Sequence, residues 1–551
     1  MGEQLLCRAV GVASPWESMM RGPWSAHWRG REDVALTILE RIDGQEIPDD
    51  DTLSAWLGSA NTPFAFILTG PDGTIAAVDQ NRSYPIFHGQ RDGVLSIGGD
   101  AHEVADTVGA NSLRPESILE AATAGYVTGP NTLRKDLHQL EAGSFLICRT
   151  GSREPTVKRY FRYWPTEINR SSEPELRFEL GAVLDSAFRR TMEQANGRPI
   201  WVPLSGGLDS RLVATKLKEL GYPDIQTFTY GLPDSNEVRV AQKVADALDL
   251  PWRFIRMKRA EMPKVFASDR RKAYYRFAGT LASIPNPQEF HVLYKLMNDG
   301  ILDQDVLLVN GQSGDFITGA HIPKTIRTMS RGVPDLMDWI ISKHFDNWRS
   351  PRNGVGLGVL RKILRASLQP EGGEDAVGAE MLATLAERWE HQERQAKFTI
   401  NQQRCYEFFD LDWALPLWDM ELVNFFRGVP LEQKINQRLY KAYLQQWNYN
   451  NLFSSLPAAV SAWGPTISWA VIPVSSLLHH IVPKQYHRAL GKVFYYMDNR
   501  GHHYSTFGMG TTLKYAGDFK NAGSLYIRQW LEEQGIDFDA IPEMFDDHDL
   551  L

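Results

Sequence analysis

The stretch WVPLSGGLDSRLVATKLKELG, Trp201 to Gly221, narrows the possible folds more than any other part of this chain. A short apolar run meets a glycine pair and passes at once into a helical pattern. Around it the same arrangement recurs: the amphipathic helix PELRFELGAVLDSAFRRTMEQA, the strand IQTFTYG, the helix NEVRVAQKVADALDL, and the apolar run DVLLVNGQSGD entering a second glycine turn. Apolar strands alternating with helices describe a doubly wound parallel sheet. The expectation is therefore an α/β domain over 171–551, helical from about 325.

Residues 1–165 read differently. TPFAFILTGPDGTIAAVDQ, Thr62–Gln80, is a pair of strands about a Pro-Asp-Gly turn. GVLSIGGD and GSFLICRT are further strands, and SLRPESILEAATAGYV is a helix with Ser112 as its cap. This predicts an N-terminal α+β domain. With 551 residues, 43% hydrophobic and 23% charged, the chain has the make-up of a soluble multidomain protein. Its net charge of −8 argues against a nucleic-acid partner. Cys7, Cys148 and Cys405 form no CxxC pair, so neither a disulfide framework nor a zinc site is indicated. The start of the chain is too short in apolar residues for a signal peptide. From Ala442 to Pro483 there is no charged residue, but Gly464, Pro465 and Pro473 interrupt the run. It makes a poor spanning helix and a better buried segment or docking surface.

Ligands of open parallel sheets bind beyond the carboxyl ends of the strands, where LSGGLDS falls. Gly206 and Gly207 are expected to allow positive φ and close backbone approach, so that N–H groups face one point. The helix beginning near Asp209 adds its positive end, and Ser205 and Ser210 offer hydroxyls. Such a cradle suits phosphate oxygens. Asp209 is intelligible there if it holds Mg²⁺, which bridges carboxylate and phosphate. Asp315, in the second glycine turn, shares the ion if both strand ends meet.

SGGLDS differs from the GxxxxGK[ST] loop and from GxGxxG, and resembles the SGGxDS pyrophosphate loop of ATP pyrophosphatases. Taken with NGQSGD at Asn310–Asp315, the chain resembles the asparagine synthetase superfamily over most of its length. NTPFAFILTGPDGTIAAVDQNRSYPIFH is similar to the hairpin of that family's Ntn glutaminase domain. DWALPLWDMELVNFF resembles its EARVPFLD segment, and KINQRLYKAYLQQW its lysine-bearing helix. The resemblance implies ATP and Mg²⁺ as cofactors and an acyl-adenylate route to an amide. Leu204, Ser205, Gly206, Gly207, Asp209, Ser210, Thr229, Tyr230 and Gly311 then bind nucleotide, and Asp209 and Asp315 the metal. Asp209, Gln312 and Lys441 are the catalytic candidates, and Arg211 a candidate phosphate or substrate contact.

The departures from the family pattern are informative. The family's glutaminases use an N-terminal cysteine whose amine is the base. Cys7, in CRAVGV, is preceded by other residues, so the N-terminal domain reads as a degenerate Ntn fold. Gln312 stands where amide-forming relatives carry Glu and β-lactam synthetases carry Tyr, and an amide cannot be a general base. The family lysine after LPAAVSAW is missing, Pro465 lying near its place; Lys441, Lys324 and Lys484 are its possible substitutes. The chain looks most like homologues from surface-polysaccharide loci, which implies a sugar carboxylate as acid and ammonia or another amine as partner. Intramolecular ring closure, as in lasso-peptide cyclases and β-lactam synthetases, is the first alternative, and an inactive nucleotide-binding scaffold the second. A cytoplasmic protein is expected, with 452–483 as a docking surface for a membrane or a partner.

Overall fold

The computed structural model describes residues 5–545, except 14, 31, 43–46, 232, 234, 369–374, 455–490 and 492–505. The described strands are β1 (Leu6–Ala9), β2 (Glu17–Arg21), β3 (Trp24–Gly30), β4 (Phe64–Gly70), β5 (Gly73–Val78), β6 (Phe87–Arg91), β7 (Val94–Gly98), β8 (His138–Gln139), β9 (Ser144–Arg149), β10 (Thr156–Arg159), β11 (Ile200–Pro203), β12 (Ile225–Gly231), β13 (Trp252–Arg256), β14 (Leu307–Val309) and β15 (Asp412–Ala414). They form a four-stranded sheet β1-β7-β6-β8, a six-stranded sheet β10-β9-β5-β4-β3-β2 and a five-stranded sheet β13-β12-β11-β14-β15.

The first two sheets stack face to face. On β4, Ala65 and Ile67 pack with Leu95 and Ile97 of β7 between the sheets. Phe64, Phe66 and Leu68 point the other way, onto Ile38 and Leu39 of the helix Glu32–Ile42 and Leu53 of the helix Asp50–Gly58. Both faces of β4 are buried, which is why it reads as an unbroken apolar run rather than an alternating one. The helix Ala101–Val108 covers the outer face of the four-stranded sheet through Val104 and Phe87. The result is a helix–sheet–sheet–helix stack. The expected hairpin is present as β4 and β5, with Gly70 opposite Gly73. Gly73 sits at φ 135°, where its missing Cβ avoids the Cys148 carbonyl. The expected helix is present too, but as Pro115–Ala124 with Arg114 at its cap. Ser112 lies outside it: Pro115, whose φ is already helical, opens the first turn.

Every pairing in the five-stranded sheet is parallel. The chain runs outward from β11 to β12 and β13, then returns to place β14 on the other side of β11. The order therefore switches between β11 and β14, and a crevice opens at their carboxyl ends. The 23-residue helix Glu173–Ala195 opens this half behind a Ser172–Glu175 capping box. β13 and β15 are five and three residues long, too short for a periodic signal. The helix Pro115–Ala124, though early in the chain, packs through Ile118, Ala121 and Ala122 into the core that contains Val202 and Leu308.

From 325 onward the described residues are mainly helical, as expected. One unexpected feature is a π-helical run at Glu390–Thr399. No helix among the described residues is long and apolar enough to cross a membrane. Of the uncharged stretch only 442–454 is described; 455–483 lie outside the described residues, as does Lys484.

Candidate active site

The two glycine turns meet in the crevice. Asp209, in the first turn of the helix Leu208–Glu219, accepts the Asp315 backbone N–H and a 2.8 Å hydrogen bond from the Tyr440 hydroxyl. Burial, and then the nearby Asp315 carboxylate, push the Asp209 carboxyl up to about 7 against those two donors. Gln437 Nε2 donates to Asp315 Oδ1 at 3.3 Å and to Thr318 Oγ1 at 2.7 Å.

The approach depends on glycine, though at different positions from those the motif suggests. Gly206 and Gly207 are absent from the positive-φ residues, and Gly207 sits at φ −73°. The close contacts belong to the second turn. A Cβ on Gly311 would lie 2.8 Å from the Asp209 carbonyl carbon, and one on Gly314 2.6 Å from its Cγ. Ser313 between them takes φ 67°, a costly left-handed conformation for serine.

The loop after β11 is braced from within. Ser205 N–H donates to Ser210 Oγ at 3.0 Å, the two hydroxyls are 2.8 Å apart, and Gly207 N–H donates to Ser205 Oγ at 3.2 Å. Arg211 braces this loop. It is fully buried, donates to the Gly206 and Leu452 carbonyls at 3.1 and 2.8 Å, and lies over the Phe453 ring. It ties the loop to the chain that follows the helix Arg438–Trp447. Leu204 N–H donates to the Phe228 carbonyl, and the Thr229 hydroxyl donates to the Leu204 carbonyl while accepting Trp252 Nε1. The Thr229 side chain is thus spent on joining β11 to β12. Tyr230 is partly buried beside it, and burial raises its phenol well above the usual range.

The remaining candidates divide. Gln312 is not a free group: its Nε2 donates to Gln402 Oε1 at 2.8 Å, its Oε1 accepts Gln403 Nε2, and its backbone N–H donates to Asn310 Oδ1. Lys441 is exposed and donates to the Asn436 carbonyl at 2.8 Å, while its neighbour Tyr440 takes the face toward Asp209. The structure therefore brings Lys441 to neither carboxylate, because one residue along a helix turns a side chain by about 100°. Tyr440 and Gln437 were the informative positions of that helix, and no pattern in the sequence separates them from Lys441. Cys7 lies on β1 against Cys148 of β9 and Thr74 of β5; the Cys148 contact is the main reason its thiol is lowered to about 7.

The acid pair fits a hard divalent cation. Such ions take oxygen ligands, and Mg²⁺ is commonly held by one or two carboxylates with phosphates and water completing the shell. The Asp209 carboxyl, raised by burial and then by the neighbouring Asp315 charge, would be relieved by such an ion. Among the described residues no cluster of three or more His, Cys, Asp or Glu forms a metal cage.

Comparison with known proteins agrees with this half of the molecule. The asparagine synthase family model matches residues 179–455, half of the chain. Relatives from Mycobacterium tuberculosis and Mycobacterium bovis, whose name as glutamine-hydrolysing asparagine synthetases is itself provisional, are 28% identical over 231 residues. That stretch is 40% of this chain and 31% of the relatives, so the match spans about a third of their length. Glutamine phosphoribosylpyrophosphate amidotransferase of B. subtilis aligns over 43% of this chain and 72% of its own at 11% identity, with a TM-score of 0.16, too loose to carry an argument. On the family match, and with the loop, the acid pair and the parallel sheet in register, this chain belongs to the asparagine synthase family.

Proposed function

We propose that the protein forms an amide from a carboxylic acid and an amine at the cost of ATP, which is cleaved to AMP and pyrophosphate. The observation that carries this reading is the meeting of Asp209 and Asp315 at the switch point, beside the Ser205–Ser210 loop. A carboxylate does not react with an amine at neutral pH because oxide is too poor a leaving group. Its adenylate has AMP to expel instead. In this reading the loop's N–H groups and the helix end bind pyrophosphate. Asp209 and Asp315 hold Mg²⁺, which when bound neutralises phosphate charge. Backbone along Leu204 and Thr229–Tyr230 lines the adenine pocket, with Gly311 at its edge. Tyr440 and Gln437 orient the acid pair, and Gln312, clamped by Gln402 and Gln403, fixes the second turn. Catalysis here is mainly positioning and charge stabilisation.

The helix–sheet–sheet–helix stack, roughly 1–165, is read as an Ntn-like glutaminase domain that has lost its chemistry, and 171–551 as the synthetase domain. Cys7 sits inside β1, with Leu6 and Arg8 beside it paired to Val94 and Ser96 of β7, and is read as a strand residue rather than as the family's nucleophile. Nitrogen then comes as ammonia or as a substrate amine. The acid is proposed to be a hexuronic acid, converted to its uronamide in surface-polysaccharide synthesis at the cytoplasmic side.

The test is ATP–pyrophosphate exchange by the full chain in Mg²⁺, screened over hexuronates, aspartate and β-amino acids. Exchange with a hexuronate, and an amide product on adding ammonia, supports the reading. Exchange with a β-amino acid and closure without ammonia moves it to ring formation. ATP binding without exchange for any acid leaves a scaffold.

A further inference from the structure

An amine attacking an acyl-adenylate must lose a proton, and Gln312 cannot take it. Six residues beyond Asp315 the structure holds a group that can. His321 Nδ1 lies 2.7 Å from Glu390 Oε1, and the imidazole keeps about a fifth of its surface exposed. Glu390 is buried at the start of the π-helical run. That run brings residues four and five apart onto one side, so Arg394 NH1 and Gln395 Nε2 donate to the same oxygen at 3.1 and 3.0 Å. Gln395 Oε1 in turn accepts the Ser313 hydroxyl at 3.0 Å. Ser313 belongs to the turn that carries Asp315. One buried carboxylate thus anchors both the acid-bearing turn and the histidine that follows it.

We propose that His321, oriented by Glu390, is the general base that takes the proton from the attacking amine. This deepens the adenylation reading and rests on it. The Glu390 carboxylate selects the tautomer with hydrogen on Nδ1, which leaves the Nε2 lone pair free. In the step, the amine nitrogen bonds to the acyl carbon, the acyl–oxygen bond to AMP breaks, and AMP leaves with that electron pair. The proton passes to His321 Nε2, and the imidazolium is stabilised by Glu390. Burial opposes the charge on Glu390, but His344, Arg394 and His321 outweigh it and hold the carboxyl well below the usual range. Glu390 meets His321 directly and Arg394 shares its oxygen, while Lys343 of the helix Val333–His344 donates to the His321 carbonyl at 3.5 Å and lies in the field of Glu390, Arg394 and Asp315. His344 Nε2 lies 3.0 Å from the second Glu390 oxygen, and burial lowers its own pKa to about 4.

The experiment uses the full chain carrying His321→Asn, whose amide N–H replaces the Nδ1 donor to Glu390 while the basic Nε2 is lost. The acid is the one that supports exchange in the wild type. ATP–pyrophosphate exchange, which precedes the amine, should stay within about twofold. Amide formation from ammonia should fall about 100- to 10,000-fold, the usual weight of a general base. Hydroxylamine, whose adduct is more acidic than that of ammonia and gives its proton to water more readily, should lose far less of its rate in hydroxamate formation. His321→Gln, with melting curves on both variants, guards against misfolding. Unchanged ammonia-dependent amidation overturns the proposal alone. Joint loss of exchange and hydroxamate in both variants shows a structural histidine and also overturns it. A wild type that exchanges with no acid overturns the adenylation reading and this proposal with it.

Discussion

Asp79 and Asp209 follow strands in the two halves of the molecule, and both carboxyls are raised, to about 6 and about 7. Burial is the main cause in each. What surrounds them differs. Asp79 accepts backbone N–H groups from Phe64, Asn81 and Ser83 at 3.1, 2.8 and 3.1 Å. The turn it organises is spent on packing: Asn81 Nδ2 donates to the Trp418 carbonyl, and Arg82 to the Leu140 carbonyl and Gln139. Asp209 lies in the field of a second carboxylate, Asp315. A buried acid with its donors in place is a keystone. A buried acid beside another acid favours a bound positive charge.

The contrast is open to direct tests. Asp209→Asn should lower ATP–pyrophosphate exchange by about a thousandfold or more. It should also abolish the rise in melting temperature on adding Mg²⁺ and ATP, without destabilising the free protein, since it removes a repulsion. A fall in stability as large as that of an Asp79 variant would break the distinction.

Asp79→Ala should behave in the opposite way. It leaves three buried N–H groups unpaired and should cost about 2–4 kcal/mol in denaturant unfolding, with exchange per folded molecule intact. Asp79 also sets a pH dependence. Its folded value near 6 lies above the reference of 3.8, so the folded state binds the proton more tightly. Its stabilising contribution is full below about pH 4 and is lost as pH rises through 6, on the order of 3 kcal/mol in all. Asp79→Asn should flatten that slope in unfolding curves between pH 4 and 6.5.

Gly311→Ala puts a methyl 2.8 Å from the Asp209 backbone and should cost about 1–3 kcal/mol while depressing exchange. The smallest contrast is between neighbours. Tyr440→Phe removes one hydrogen bond to Asp209 and should slow exchange about tenfold, the worth of a bond to a charged group. Lys441→Ala should change the rate by less than about twofold. Equal effects would return Lys441 to the site.

Much of this was legible in the residues. The hairpin at Thr62–Gln80, the helix–strand–turn–helix order around Trp201, and the two glycine turns all appear where local patterns place them. Local signals suffice there because periodicity and turn chemistry act over a few residues. Ser112 as a cap failed because Pro115 begins a helix without help. β15 was missed because three residues carry no period. The glycine argument fell on the wrong turn because the need for a bare backbone at Gly311 and Gly314 comes from Asp209, a hundred residues earlier in the chain.

The sequence by itself determined that a parallel sheet carries a phosphate-type loop and two acids at strand ends, since strand, turn and helix propensities are local. Only the tertiary structure decided that Asp209 and Asp315 face each other, that Tyr440 rather than Lys441 reaches them, and that Arg211 braces the loop. It alone joined His321 to Glu390. Those outcomes depend on the return of β14 beside β11 and on the direction a helix face takes in the packed core, which no window along the chain contains.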